Sequence, residues 1–404
     1  MPSDPLPLKI AYLVNFCHKQ GTYFRFHSFA KHITRMGHEV TVFAQDGDPT
    51  SQARIEVREG VTYHIVPNAR GDFLFGGFCN PIPCVQRLFE PYQQYDIAHL
   101  WQPFPSAAVS WLTRMKRLAR VRIYDWDDLW HNGLMPPGGR TINTQLPRAI
   151  TDRFEQLLPK VADHMTTVSH MLHDLAIDRG ARGVSLIHHG SEPFDIPAKG
   201  VAREELHLRP DAHYMGFMGR TINELSWIFD AMRVHRHQFP TLRLAICGVN
   251  APLLAPHLDS LHDRVDSLGQ VTPEQARSFA AAVDLGLLPL MDEPFNRSRF
   301  PVKLLDHAGA GKPVLCSSVG EAGAVGGTLS SVLLAGKTKA DWITAFGDAA
   351  GRLIRNELPS LDMSAFRARW AWPQKAMEMI AIYRTSLQKV ARRSVMPAID
   401  RGTL

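Results

Sequence analysis

The chain of 404 residues is long enough for two or three domains with cores of their own. Its 45% hydrophobic and 21% charged content, with 29 Gly and 28 Pro dispersed along it, excludes a disulfide miniprotein, a disordered chain and a fibrous repeat. Lys+Arg outnumber Asp+Glu 45 to 39, a net +6 spread evenly over both halves, too mild to point to nucleic acid but compatible with anionic ligands or a membrane surface.

The N-terminal apolar run, Ile10 to Phe16, follows no basic segment and is too short to span a membrane, so a cytoplasmic chain is expected. Five cysteines (Cys17, Cys79, Cys84, Cys247, Cys316) are odd in number and lack metal-type spacing, which favours free thiols over a disulfide framework or a zinc site. Strands are predicted at Lys9–Val14, Glu39–Phe43, Thr62–Val66, Asp96–Leu100, Arg122–Tyr124, His164–Val168 and Val184–Ile187, with helical patterns between them. The clearest helix, Tyr23 to Met36, ends at Gly37, which suits the left-handed turn after a helix. The alternation then pauses at 191–212, where Pro193, Pro197, Gly200 and Pro210 read as a linker between a first domain, 1–190, and a second, 213–372. Beyond it come strands Tyr214–Met218, Leu242–Cys247, Val283–Leu288 and Pro313–Cys316, helices Glu224–His237 and Pro301–Ala310, and a capping box from Thr272 to Gln275. The final segment, 373–404, carries a helix at Gln374–Lys389 and a frayed tail. Two doubly wound α/β domains follow, and in such folds ligands sit beyond the carboxyl ends of the strands.

The richest strand-end loop runs from Met291 to Pro313. Pro301 suits a first helical position, so the N–H groups near Val302 and Lys303 would face an anion at the positive end of a helix. Arg297, Arg299 and Lys303 add cations, and Asp306 leans back toward the same end, where its oxygens match a ribose diol. A solvated loop with a Lys303–Asp306 helix salt bridge fits the same residues. Arg220 after Gly219, and Asn250 after Gly248, add polar groups at the same rim, and in the first half Gly21 precedes the helix carrying Arg25. No Gly-x-Gly-x-x-Gly fingerprint is present, which disfavours a hydride-transferring dehydrogenase.

With Gly21-Thr22-Tyr-Phe-Arg25, Tyr95-Asp-Ile-Ala-His99-Leu-Trp-Gln-Pro103, Leu186-Ile-His-His-Gly190, Gly216-Phe-Met-Gly-Arg220, Leu268-Gly-Gln-Val271 and Glu293 through Val314, the chain resembles a family-4 (group 1) retaining glycosyltransferase of the GT-B fold. The resemblance covers nearly the whole chain. It implies two Rossmann-like domains facing a cleft, with a nucleoside diphosphate sugar bound by the C-terminal domain, the acceptor mainly by the N-terminal one, and a last helix crossing back to the first domain. It places Arg220 and Lys303 near the diphosphate, Val271 near the base, Asp306 at the ribose, and Asn250, Pro301, Val302 and Leu304 around the donor. Gly21, Thr22, Arg25, His99 and Asp127 fall on the acceptor or diphosphate side.

The chain departs from the family's pair of glutamates seven residues apart: Asp306 takes the second place, Ser298 stands eight residues before it and Glu293 thirteen before it. Glu293 would touch the sugar across an enlarged loop. The Lys that usually follows the Gly-Arg pair is missing near Leu225, and Arg299 is the candidate for its charge. Asp125, in Ile123-Tyr-Asp125-Trp-Asp127-Asp128, is the nearest match to the family's catalytic histidine. The Asp125–Asp127 pair also resembles a metal-binding Asp-x-Asp, but cationic and helix N–H groups already serve the phosphates, so no metal or other cofactor is expected. His99 is read as a buried histidine bonded to backbone or as an acceptor contact, and His188 and His189 point to opposite faces of a strand. Arg114, Lys116, Arg117, Arg120 and Arg122 form a basic stretch open to solvent or to anionic headgroups beside a glycan, lipid-linked or small-molecule acceptor, as polysaccharide or glycolipid biosynthesis would require. A sugar-nucleotide 2-epimerase and a non-catalytic sugar-nucleotide-binding protein are the alternatives on this fold.

Overall fold

The computed structural model describes residues 6–18, 21–48, 50–68, 78–131, 142–192, 195–219 and 222–395. Two compact units emerge: the chain up to His189 together with the helix Trp372–Val395, and Gly190–Ala371. Each is an α/β unit built on a mostly parallel sheet.

The first sheet holds β1 (Lys9–Phe16), β2 (Glu39–Gln45), β3 (Arg54–Arg58), β4 (Val61–Val66), β5 (Tyr95–Leu100), β6 (Ala119–Trp126), β7 (His164–Thr167) and β8 (Val184–Leu186), in the order β3-β4-β2-β1-β5-β6-β7-β8. All neighbours pair in parallel except β3 and β4. The central strand β1 is buried along Ile10–Val14, the unbroken apolar run expected of a strand covered on both faces. Helix Tyr23–Arg35 packs Phe26, Phe29, Ala30 and Ile33 into this core and stops at Met36, where Gly37 takes φ +87. Trp372, Ala376, Met379 and Tyr383 of the last helix join the same core, with Trp372 edge-on to Phe29 at 5.1 Å. That helix runs further than the sequence pattern suggests, from Trp372 to Val395.

The second sheet holds β9 (His213–Met218), β10 (Leu242–Cys247), β11 (Val265–Ser267), β12 (Leu285–Leu288), β13 (Val314–Ser317) and β14 (Val332–Ala335), all parallel, in the order β11-β10-β9-β12-β13-β14. In both sheets the chain starts at an inner strand, builds outward on one side and returns to the other. The points of reversal lie between β1 and β5 and between β9 and β12, where doubly wound sheets open a crevice for ligands.

The segment expected as a linker is instead part of the second unit. Residues Lys199–Glu205 form a helix, Ala202, Leu206 and Leu208 are buried beside Tyr214, and the buried Arg203 bonds Asp284 at 2.8 Å and the Ala282 carbonyl at 2.9 Å. Pro197 and Gly200 mark the start of this helix rather than a flexible joint.

Candidate active site

At the reversal point of the first sheet, Gly21 takes φ +52 just before helix Tyr23–Arg35, with open space where a Cβ would stand. Thr22 occupies the N-cap position, and its Oγ1 accepts from Gln102 Nε2 at 3.1 Å, tying the segments that follow β1 and β5 together. One turn further, Arg25 donates to both oxygens of Asp125 at 2.9 Å and to the Ile187 carbonyl at 2.9 Å. Both side chains are fully buried. Thr166 also donates to Asp125 Oδ2, and His99 Nδ1 meets the Tyr383 hydroxyl at 2.7 Å, which in turn meets that of Tyr12 at 3.1 Å. Burial holds the His99 ring well below its ordinary range, so it is neutral.

Asp127 lies just past the end of β6. It is 6% exposed, and its Oδ1 has no hydrogen-bond partner among the described residues. Burial, followed by the charges of Asp128 and Asp125, pushes its carboxyl well above the usual range. Of the acids in Asp125-Trp-Asp127, it is the one with unfilled bonding capacity.

The second unit presents a different surface. Gly248 takes φ +93, where a Cβ would stand 2.4 Å from the Gly219 carbonyl oxygen, and its N–H bonds the Gly269 carbonyl at 2.7 Å, so three glycine backbones meet at the ends of β9, β10 and β11. Asn250 follows at the N-cap position of helix Ala251–Leu258, and Val271 packs partly against the core beneath, before the Thr272–Gln275 capping box. After β12, Glu293 is exposed at the N-cap position of a short helix, Pro294–Ser298, and accepts from Asn296 Nδ2 at 3.2 Å. This helix is the enlargement that separates Glu293 from Asp306. Arg299 bonds Glu224 at 3.0 Å and lies over the Phe295 ring. Lys303 bonds Asp306 at 3.0 Å, and both are about two-fifths exposed.

Two family models match this chain in succession: Glycosyltransferase Family 4 over residues 22–193 and Glycosyl transferases group 1 over residues 210–356. The protein belongs to the family-4, group-1 glycosyltransferases of the GT-B fold. It is 25% identical over 222 residues to the glycosyltransferase TuaH of Bacillus subtilis (strain 168), to which a part in teichuronic acid biosynthesis is ascribed; the match spans 54% of each chain, about half the length of that protein. Among solved structures it resembles sucrose-phosphate synthase from Thermosynechococcus elongatus (TM-score 0.68, 17% identity, 94% of this chain and 100% of that one). It also resembles Anabaena HepE in complex with UDP-glucose (TM-score 0.57, 14% identity, 96% and 99%). These likenesses establish the fold.

In this glycosyltransferase several predicted site residues take other roles. Asp125, read from the sequence as the nearest match to the family's catalytic histidine, and Arg25, placed on the acceptor or diphosphate side, pair with each other inside the first unit, both fully buried. Both Asp125 oxygens accept from Arg25, and among the described residues no cluster of three or more His, Cys, Asp or Glu is placed to hold a metal. His99 bonds side chains rather than backbone. Pro301 stands at the N-cap position, with Val302 the first residue of helix Val302–Gly309. The Val302 and Leu304 N–H groups are spent on the Phe300 and Pro301 carbonyls, and the Leu304 side chain is core. Arg299 is charge-paired by Glu224, so a phosphate there would compete with a carboxylate. Arg220 lies outside the described residues. Of the basic stretch, Arg122 is pinned by Trp111 and the Val161 carbonyl and Arg120 pairs Asp96, while Arg114, Lys116 and Arg117 are exposed.

Two residues escaped the sequence reading. Arg87, fully buried, donates to the carbonyls of Val14 at 2.7 Å and Phe43 at 2.6 Å. Glu155, also fully buried, accepts from three N–H groups between Trp126 and His131. Neither carries a local signal, because an Arg after a short helix and a Glu within a long one look like solvated residues.

Proposed function

We propose that the protein transfers a sugar, with retention at the anomeric carbon, from a nucleoside diphosphate sugar to a glycan, lipid-linked or small-molecule acceptor. What carries the reading is the match of both halves to glycosyltransferase models in the family's order. A fold resembling that of HepE, solved with UDP-glucose, supports the choice of donor class. The second unit holds the donor: Lys303, with Arg220, opposes the diphosphate charge, Asp306 accepts from the ribose hydroxyls, and Glu293 contacts the sugar. The first unit holds the acceptor beside Thr22 and Asp127. Asp127 bonds the acceptor hydroxyl through Oδ1, the oxygen without a partner among the described residues. The sugar–phosphate bond breaks as the acceptor oxygen bonds the same face of the sugar, and the acceptor proton passes to the departing phosphate oxygen.

Incubation with UDP-, GDP-, ADP- and dTDP-sugars tests this. Slow release of nucleoside diphosphate from one of them is expected. An epimer without diphosphate, or tight binding without turnover, replaces the transferase by the other two functions this fold supports, and failure to bind any nucleotide sugar removes the shared premise.

Membrane contact follows from a surface of the first unit. Arg114, Lys116 and Arg117 are exposed at the end of helix Pro105–Thr113, which packs against the turn carrying Phe89 (82% exposed). Exposed cations suit anionic headgroups, each contributing about 1 kcal/mol near the surface. Sedimentation with liposomes should rise with anionic lipid content, and equal sedimentation with neutral ones rejects the contact. Among the described residues no helix is long and apolar enough to cross a membrane.

A further inference from the structure

The loop carrying Asp127 is fastened from behind by a single side chain. Glu155, in the middle of helix Ile142–Val161, accepts from the Trp126 indole N–H at 3.0 Å and the Trp130 backbone N–H at 2.9 Å through Oε1, and from the His131 backbone N–H at 3.0 Å through Oε2. One carboxylate therefore spans both ends of the turn that begins at the last residue of β6 and contains Asp127 and Asp128. The helix and the loop are braced twice more: Arg179 donates to the Glu155 backbone carbonyl at 3.0 Å with its guanidinium over the Trp126 ring, and Asp152, one turn earlier, faces His131 at 3.8 Å. Within that turn the Asp127 Oδ1 has no hydrogen-bond partner among the described residues. The arrangement is a frame behind the turn that carries Asp127.

We infer that Glu155 is a positioning residue for sugar transfer: by accepting the three N–H groups of Trp126, Trp130 and His131, it fixes the turn that aims Asp127 at the acceptor.

The inference rests on the proposed acceptor-side role of Asp127. Its physical basis is independent of it. Fixing a functional group to within a fraction of an ångström requires a supporting residue that is itself locked, and a fully buried carboxylate with three charge-assisted donors is such a support. Burial raises the Glu155 carboxyl to about 7 even though the Trp130 and His131 N–H groups, Arg179 and the Trp126 indole favour its charged form. Tyr124 is the other titratable group of β6 facing it, and burial together with Glu155 and Asp127 keeps that phenol neutral. Gln in place of Glu155 offers one acceptor oxygen, and its NH2 group would point at a donor N–H.

The test is a double-mutant cycle on the full chain with Glu155→Gln, Asp127→Asn and both together, using the nucleotide sugar that the unsubstituted protein turns over. Glu155→Gln is expected to lower kcat about tenfold or more with donor KM within twofold, and to speed hydrogen exchange of the Trp130 and His131 amides at least tenfold. The double variant should be no slower than Asp127→Asn alone, since one residue acts through the other. Losses that multiply, or amides as protected as before, overturn the inference. Unchanged turnover in Asp127→Asn alone removes the acceptor-side role and the inference with it, whereas loosened amides with full turnover in Glu155→Gln remove only the inference. If Glu155→Gln does not fold, exchange on the unsubstituted protein decides: the Trp130 and His131 amides must be protected at pH 5 and lose protection, after correction for intrinsic rates, as pH rises through about 7, because opening returns the Glu155 carboxyl to its ordinary range, and protection that is flat with pH overturns the frame.

Discussion

The two units share a winding pattern but treat charge in opposite ways. At the strand ends of the first, Arg25, Asp125, Arg87 and Glu155 are fully buried and bonded to one another's strands and turns, so their charges hold backbone together. At those of the second, Lys303, Asp306 and Glu293 stand in solvent on short helices, and the close packing beneath them is done by glycine backbones. At these strand ends the charged side chains of the first unit are framework, apart from Asp127, whereas Lys303, Asp306 and Glu293 of the second stand open to solvent. A titratable residue at a strand end is therefore not a site residue by position alone, because its burial and the state of its partners decide.

The sharpest way to break this contrast is to remove a framework charge. Asp125→Asn leaves the Arg25 guanidinium buried without its carboxylate, and losing one partner of a buried pair costs about 3–5 kcal/mol. Urea unfolding should show that loss as a lower midpoint with an unchanged slope, and any fall in turnover should track the fraction unfolded. A variant of near-normal stability that has lost turnover would restore Asp125 to the chemistry.

A smaller effect comes from pH. The Glu155 carboxyl is raised in the fold to about 7 from an ordinary 4.5, so its contribution to stability is complete below pH 4.5 and is lost as pH rises through about 7. His164 and His307, both lowered by burial to about 4, act in the reverse sense: their contribution is lost as pH falls from 6.5 through about 4. The difference in stability between Glu155→Gln and the unsubstituted protein isolates the first effect. It should move in favour of the Gln variant by on the order of 2 kcal/mol between pH 5 and pH 8, read as the change in melting temperature difference, and a difference that is constant with pH removes Glu155 from the titration.

How much of this was legible follows from the range of each interaction. The inner strands were visible because their apolar runs are local, and the Thr272–Gln275 capping box formed as its spacing requires. β3, β11 and β14 were missed. β3 is a charged edge strand whose Ile55 and Val57 face solvent, joined to β4 through Glu59 and Gly60 at positive φ, and β11 has only three residues. The framework of the first unit was illegible for a different reason: Arg25 and Asp125 are 100 residues apart and His99 and Tyr383 are 284 apart. No window of periodicity reaches that far. The Lys303–Asp306 pair was easier, because the two are neighbours on one helix turn. Their alternative reading as a helix salt bridge is also what the protein alone displays.

That coincidence sets the smallest structural effect and the most informative functional one. An exposed pair three residues apart contributes little to folding, so Lys303→Ala and Asp306→Asn should each change stability by less than about 0.5 kcal/mol. If the pair exists only to brace its helix, nothing else will change. If it is poised for a donor, each substitution removes one partner of a nucleotide: a cation from the diphosphate in the first case, an acceptor from the ribose diol in the second. A charge-assisted contact of this kind is worth about 1.5–3 kcal/mol, or roughly a tenfold or greater loss of nucleoside diphosphate affinity by calorimetry. The two losses should also respond differently to salt. Lys303→Ala should flatten the ionic-strength dependence of binding, because it deletes a charge–charge contact, while Asp306→Asn should not. Equal affinity in both variants would leave Lys303 and Asp306 as a solvated brace, and the second unit would lose the openness that separates it from the first.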